Sequence, residues 1–162
     1  MVVKKYILIF VSFVLFAVSA FSAETSFKFK RSRDGKGLCI DKYTGDEKYV
    51  VIEPYYDGLP VREINYFAFS ECDVVMVWLP STLVDIGERA FYRCNNLVQV
   101  TLPQYLNTIG DSAFAYCQNL SAIQIDRRLP LQYFSNSAFS HCDSLPMNIQ
   151  LELIQLGYKG QF

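Results

Sequence analysis

One short motif, Ala-Phe-x-x-Cys, occurs four times in this chain and constrains its fold more than any other feature. Its cysteines stand at positions 72, 94, 117 and 142, which gives intervals of 22, 23 and 25 residues. A fixed period of 20–50 residues is typical of solenoids, in which each unit packs only against its neighbours. One such unit cannot bury its apolar side alone, so the repeat predicts a stack.

The apolar positions of the repeats align as columns. The V-x-L part alternates with period two, which is typical of a short strand with one buried face. The aligned columns comprise Val61/Leu83/Leu106/Leu131, Ile64/Ile86/Ile109/Phe134, Ala68/Ala90/Ala113/Ala138, Phe69/Phe91/Phe114/Phe139, Val74/Leu97/Leu120/Leu145, Val77/Val100/Ile123 and Leu79/Leu102/Ile125.

The stretch Ile-Gly-x-x-Ala-Phe-x-x-Cys has apolar spacings of three and four, which predict one or two turns of helix. Gly87 and Gly110 stand at its start, and we expect them to adopt a positive φ in a tight entry turn. The alanines are small enough for adjacent turns to approach, and the phenylalanines fill the space between the two walls. We expect a packed core here and no cofactor site.

The full repeat, LP-x-x-L-x-x-IG-x-x-AF-x-x-C-x-x-L, resembles the BspA-type bacterial leucine-rich repeats. Residues 79–125 match it closely, and residues 52–78 and 126–145 match with small insertions or deletions. Local departures are Asn65-Tyr66-Phe67 in place of Gly-x-x, and Asp126 where Pro80 and Pro103 stand in the other repeats. The resemblance implies a secreted or surface-displayed interaction protein without enzymatic activity.

We therefore predict an α/β repeat solenoid with a parallel concave sheet and short helices on the convex side. Its predicted parts are a signal peptide (residues 1–22), an N-terminal β cap (23–47), about four leucine-rich repeats (48–145) and a C-terminal helical cap (146–162). Pro146 and Gly157 bound the predicted helix. We expect its buried stripe to consist of Met147, Leu151, Ile154 and Tyr158.

The N-terminus has the features of a secretory signal. Lys4 and Lys5 precede an apolar run that ends in small residues near Ala20 and Ala23. The run is shorter than the ~20 residues of a membrane span, and an uncleaved anchor is the alternative. No cysteine lies near its end, which argues against a lipoprotein. We expect export to the cell surface, the medium or a periplasm.

Charge and reactive residues exclude several classes of function. Cleavage would remove 2 of the 15 basic residues and leave 13 beside 16 acidic ones, so nucleic-acid binding has no electrostatic basis. Residues 28–33 carry four basic side chains, as an edge strand protected from aggregation does. A polyanion site is the less favoured alternative. His141 is the single histidine, and Asp85 and Asp111 are isolated loop carboxylates. We therefore predict no catalytic site, metal or cofactor.

Five cysteines in an exported chain raise the question of disulfides. Four of them form one column at the inner side of the predicted turn, where side chains point the same way. A disulfide needs Cβ atoms about 3.8 Å apart, so we favour buried thiols that pack as small hydrophobic groups. Cys39 stands alone in the predicted N-terminal cap.

The outer face of the predicted strands is the candidate binding surface. Its N-terminal half is apolar and holds the single tryptophan, a composition typical of interaction hot spots. An alternative is that the N-terminal cap covers these residues. The partner-binding hypothesis includes Tyr49, Val51, Met76, Trp78, Gln99, Thr101, Ala122 and Gln124.

We expect the partner to be a host or envelope protein. A homodimer formed through the same patch is one alternative. A second is glycan binding by surface tyrosines, which ranks lower because they are predicted to lie on several faces. The tyrosines in question are Tyr55, Tyr56, Tyr92, Tyr105 and Tyr116.

The signal makes a direct prediction about the exported protein. We expect its mature chain to begin between Phe21 and Glu24, because the small residues that signal peptidase requires end there. N-terminal sequencing of protein from the extracellular or envelope fraction measures this. An intact Met1 in that material would contradict cleavage and favour the anchor.

Overall fold

Each repeat places one short strand in each of two sheets, with one apolar core between them. The computed structural model describes residues 26–125 and 129–162, so the predicted signal lies outside it, and the domain boundaries remain predictions. Within those residues no helix is long and apolar enough to cross a membrane. The elements are β1 (Phe27–Arg31), β2 (Leu38–Tyr43), β3 (Tyr49–Val51), β4 (Tyr55–Tyr56), β5 (Leu59–Ile64), β6 (Met76–Trp78), β7 (Asp85–Ile86), β8 (Gln99–Leu102), β9 (Thr108–Ile109), β10 (Ala122–Ile125), β11 (Tyr133–Phe134) and helix α1 (Met147–Gln155).

The first sheet has four parallel strands in the order β3-β6-β8-β10. The middle positions of these strands, Val50, Val77, Val100 and Ile123, are buried. The alternation that predicted one buried face per strand is therefore confirmed, and so is a solenoid of about four turns. We refer to this layer as the four-stranded sheet.

A second, seven-stranded sheet forms the opposite wall. Strand β1 pairs antiparallel with β2 at its edge, which confirms the predicted edge strand. Strands β2, β5, β7, β9 and β11 then run parallel, and β4 pairs antiparallel with β5. The isoleucine column thus lies in strands, whereas its spacing had predicted helix. Strands of two residues are too short to show alternation in the sequence.

The predicted short helices on the convex side are not confirmed, because turns occupy this stretch. Phe67 and Arg89 have φ values of 54° and 51°, and the second residue after each phenylalanine of the motif is also left-handed, as at Arg93 with φ 56°. The Phe69 N–H consequently donates to the Ala90 carbonyl of the next repeat at 2.7 Å. A helix would need that N–H for its own preceding turn.

The two glycines of the repeat motif act through close approach and not through a positive φ, which corrects the sequence interpretation. Neither Gly87 nor Gly110 has a positive φ. A Cβ on Gly87 would lie 2.8 Å from the Ile64 carbonyl oxygen, and one on Gly110 would lie 2.7 Å from the Glu88 nitrogen. Both contacts are with main chain, so a side chain would push adjacent repeats apart.

The motif phenylalanines form a continuous stack through the core. The ring centroids of Phe69, Phe91, Phe114 and Phe139 lie 4.7, 5.0 and 5.1 Å apart in succession. Tyr43 continues the stack at 4.9 Å from Phe69. All four phenylalanines are fully buried, as are the alanines that precede them. The sequence prediction of a packed core at these positions is confirmed.

The motif cysteines form a second column beside the rings. The thiols of Cys94, Cys117 and Cys142 donate to the carbonyls of the phenylalanines of the preceding repeats, at Sγ–O distances of 2.9, 3.1 and 3.1 Å. All five cysteines are free, and Cys72 is only half-buried. Burial raises the pKa of Cys142 to about 12, so its thiol remains a protonated donor.

The C-terminal helix is present, but its predicted buried stripe is wrong. Met147 is 67% exposed, and Leu151 and Ile154 are each 51% exposed. Leu153 and Tyr158 are buried instead. Tyr158 lies past the helix end, where Gly157 has φ 104°, so the helical period does not determine its direction. Closure of the stack by the predicted stripe is therefore not confirmed.

The phenylalanine stack predicts a large local cost of truncation. Phe114→Ala should lower the free energy of unfolding by about 3–5 kcal/mol, because it removes a ring packed on both faces and leaves a cavity. Tyr116→Ala, two residues later and half-exposed, should cost about 1 kcal/mol. Urea denaturation of both variants measures this, and equal costs would contradict the assignment of inward and outward positions.

The cysteine column predicts free thiols. Denatured, non-reduced protein should titrate with most of its five cysteines free. Native protein should react far more slowly at pH 8, since burial raises the pKa of Cys39 and Cys72 to about 11 and of Cys142 to about 12. Fewer than two free thiols in the denatured sample would show that disulfides replace the hydrogen-bonded column.

Candidate functional site

The four-stranded sheet brings the eight predicted face residues together on its outer side. Tyr49, Met76, Gln99 and Ala122 are aligned across the four strands, each paired with the next. Val51 pairs with Trp78, and Thr101 pairs with Gln124. The intervening residues of each strand are buried, so alternation directs these side chains away from the core.

The face changes in character along the stack. At its N-terminal end Tyr49 and Val51 are 63% and 51% exposed, and Met76 and Trp78 beside them are half-buried. At its C-terminal end Gln99, Ala122 and Gln124 supply polar or small side chains. The β1–β2 hairpin therefore leaves Tyr49 and Val51 open to solvent. A partner would meet an apolar region at one end and a polar one at the other.

One of the eight residues has a structural task. The Thr101 hydroxyl accepts a hydrogen bond from the Leu79 main-chain N–H at 2.9 Å, just past the end of β6. Substitution of Thr101 would therefore disturb the sheet as well as the surface. Gln124 is exposed near the end of the last strand, which makes it the better control position on this face.

In the part of the chain that the structure describes, carboxylates pair with basic or hydroxyl groups, as Glu63 and Asp85 do with Arg33. No group of three or more His, Cys, Asp or Glu residues there could hold a metal ion. His141 is exposed, and its ring stacks on Tyr116 at 4.4 Å. Asp111 accepts a hydrogen bond from the Tyr133 hydroxyl at 2.7 Å. These arrangements join neighbouring repeats and do not form an acid–base pair.

A row of arginine and aromatic side chains lies along the turns and escaped the sequence analysis. The Arg89 guanidinium lies 5.5 Å from the Phe67 ring centroid, and that of Arg93 lies 5.3 and 5.7 Å from the Tyr92 and Tyr116 rings. Four of the five, Phe67, Arg89, Arg93 and Tyr116, adopt the left-handed backbone conformation described above. The position of Arg93 carries Glu71, Tyr116 and His141 in the other repeats, and this variation hid the row.

The tyrosines of the glycan alternative are divided among different surfaces. Tyr92 and Tyr116 are neighbours in the arginine–aromatic row, with ring centroids 5.4 Å apart. Tyr55 and Tyr105 are 58% and 60% exposed but belong to different repeats. Tyr56 packs against Phe29 at 4.7 Å. The structure thus brings only two of the five tyrosines together.

Solved structures with a similar fold come from bacterial leucine-rich repeat proteins. A leucine rich cell surface protein from Faecalibacterium prausnitzii A2-165 is 26% identical, with 78% of this chain and 42% of that chain covered and a TM-score of 0.60. A leucine-rich repeat protein from Bacteroides capillosus ATCC 29799 is 25% identical, with 75% and 91% covered and a TM-score of 0.64. This chain thus spans less than half of the Faecalibacterium protein.

A third structure is that of a leucine-rich repeat protein from Bacteroides ovatus ATCC 8483. It is 22% identical, with 78% of this chain and 40% of that chain covered and a TM-score of 0.60. At this identity it supports the fold alone. A search of curated protein sequences gave no match. The model of the BspA type leucine-rich repeat region matches residues 59–159 in six copies. Together with the repeat motif and the two sheets, that match shows that the chain belongs to the BspA-type leucine-rich repeat family.

Proposed function

We propose that the chain is a non-catalytic interaction protein that binds a protein partner through the outer face of the four-stranded sheet. The observation that carries this proposal is the apolar region at one end of that face. There Tyr49 and Val51 pair with Met76 and Trp78 across adjacent strands while remaining accessible. Aromatic residues and methionine are enriched at protein interfaces, and tryptophan and tyrosine dominate their binding energy.

The geometry of this region favours tight binding for its size. All four side chains project from strands that are hydrogen-bonded to a neighbour, so their backbone positions are already ordered before a partner arrives. Ordering of flexible groups is one of the main costs of association. The region therefore offers apolar area to a partner at a low entropic cost. Gln99 and Gln124 lie on the same face beyond it and would form the polar rim of the interface.

Export to the cell surface or beyond is part of the same proposal. The N-terminal signal supports it, and one structurally similar protein is described as a cell surface protein. An exported binding module of this kind would serve adhesion to a host or envelope protein. Fractionation of the source cells, followed by detection of the mature chain, tests the location separately from binding.

The two alternatives differ in their support. A homodimer would use the same apolar region, so it is tested by the same variants. The glycan alternative has less support, because the Arg93 guanidinium lies over the rings of both Tyr92 and Tyr116. Sugar rings bind to aromatic faces that are open, and those two faces are partly covered.

The proposal predicts a selective effect of one substitution. Trp78→Ala should weaken partner binding or self-association by roughly 2 kcal/mol, about thirtyfold, because it removes a hot-spot ring from the centre of the apolar region. A pull-down from host or envelope extracts with the unmodified protein as bait identifies the partner. Affinities of the variants for that partner, and sedimentation analysis for self-association, then give the change.

The matched control is Gln124→Ala, which lies on the same face but two strands away. It should change affinity much less than Trp78→Ala. Thermal melts of both variants complete the comparison, since a binding role leaves the melting temperature nearly unchanged. A large fall in melting temperature in Trp78→Ala together with unchanged affinity would show that this ring is structural and that the binding site lies elsewhere.

A further inference from the structure

A small cavity lies at the N-terminal edge of the four-stranded sheet, next to the apolar region of its outer face. Its volume is about 160 Å³, which corresponds to about five water molecules, so it has room for one side chain. Strand β3 forms one side, and the start of β1 and the loop after β2 form the others. The residues that matter for its chemistry are Ser26, Phe27, Tyr43, Glu47, Tyr49 and Val51.

The carboxylate of Glu47 is held in place by two hydroxyl groups. The Tyr43 hydroxyl donates to Oε2 at 2.5 Å, and the Ser26 hydroxyl donates to Oε1 at 2.8 Å. The hydrogen bond from Tyr43 is the largest cause that lowers the pKa of Glu47 below its usual value. The hydrogen bond from Ser26 adds to it. Main-chain N–H groups of Glu47 and Asp46 contribute to the same lowering of the pKa. The carboxylate is therefore negatively charged at neutral pH, and the Glu47 side chain is exposed.

Within the described residues, the Glu47 carboxylate takes part in none of the ion pairs. Among residues 26–125 and 129–162, the ion pairs with N–O distances up to 4.0 Å all involve other carboxylates. A carboxylate that two hydroxyls orient at the mouth of a cavity can form a charge-assisted hydrogen bond with a cation of another molecule.

Aromatic rings form much of the remaining wall. The rings of Phe27 and Tyr43 lie 5.6 Å apart and are tilted by 47°, and Tyr49 stands at the open side with 63% exposure. Ammonium and guanidinium groups are attracted to aromatic faces, and long basic side chains bury their apolar stems against such surfaces. A neutral apolar side chain would shield the Glu47 carboxylate without offering it a donor, and an acidic one would be repelled.

The edge of β3 adds main-chain acceptors. The Lys48 carbonyl accepts the Met76 N–H at 3.1 Å, and the Ile52 N–H donates to the Trp78 carbonyl at 3.1 Å. Successive residues of a parallel strand direct their main-chain groups to opposite sides, so both the N–H and the C=O groups of Tyr49 and Val51 face the free edge of β3, on the cavity side. Within the described part of the chain β6 is the only neighbour of β3 in this sheet.

We propose that this cavity binds a lysine or arginine side chain of the protein partner that lies on the four-stranded sheet. The inference rests on the proposed function and specifies the partner's chemistry. The cation meets the Glu47 carboxylate and the Tyr49 and Val51 carbonyls, while its stem packs against the rings. A basic residue would then extend over the sheet edge, next to apolar residues that contact Met76 and Trp78.

The first experiment measures cation binding without the partner. ¹⁵N-labelled protein is titrated with n-butylguanidinium and n-butylammonium, and with n-butanol as the uncharged control, in NMR experiments that follow the Glu47, Tyr49 and Val51 amides. Both cations should shift these signals in a saturable way, whereas butanol should not. Glu47→Gln should weaken binding about tenfold, because one charge-assisted contact is lost.

Two variants serve as controls. Glu53→Gln makes the same change in charge two residues beyond β3, outside the cavity, and should bind the cations unchanged. The titration contains no protein partner, so failure of this inference is separable from failure of the proposed function, which the partner affinities of Trp78→Ala test. Equal weakening by Glu47→Gln and Glu53→Gln would reduce the effect to general electrostatics and overturn the inference. Thermal melts exclude unfolding of Glu47→Gln as the cause.

A second experiment distinguishes a protein side chain from a free amine. Capped tripeptides with arginine or norleucine in the central position are titrated in the same way. Binding of the arginine peptide at least as tight as that of butylguanidinium, with its loss in Glu47→Gln, would support a partner side chain. Binding of the small cations alone would assign the cavity to free amines and overturn the inference, as would the absence of any saturable shift.

Discussion

Main-chain hydrogen bonds between successive repeats are the constraint on which the rest of this structure depends. They run along both sheets and also along the turns, where the Phe91 N–H donates to the Ala113 carbonyl and the Phe114 N–H to the Ala138 carbonyl. Hydrogen-bonded strands lie about 4.8 Å apart. Every equivalent side chain must therefore stack directly on its copy, which explains the aligned phenylalanines, the carbonyl-bound thiols and the requirement for glycine at position 110.

The repeat revealed the core and the four-stranded sheet in advance, because a three-residue alternation becomes reliable when it recurs four times. The second sheet was missed, since Ile86 and Ile109 lie in strands of two residues whose surroundings have helical spacing. Local patterns also could not show why Gly87 is needed. Its neighbour in space is Ile64, a full repeat earlier, and only the assembled stack brings that carbonyl close.

The candidate surfaces also differ in how far the sequence predicted them. The outward positions of the four-stranded sheet followed from the buried residues between them, so Tyr49 and Trp78 were identified from sequence. The cavity was not, because it joins Ser26, Tyr43 and Glu47 from the N-terminal segment that precedes the repeats and lacks their period. The buried face of the helix was also predicted wrongly, because both of its faces carry apolar residues at helical spacing. Packing against the stack buries Leu153 and leaves Leu151 exposed.

The even stacking of the repeats has a consequence for the length of the molecule. The stacked rings of Phe91, Phe114 and Phe139 are tilted by only 3° and 4° from one repeat to the next, so the rings stack evenly in this part of the core. An inserted repeat of this kind would displace everything beyond it by about 4.8 Å along the stack. The number of repeats then sets the distance between the cavity at one end and helix α1 at the other, in increments of one strand spacing.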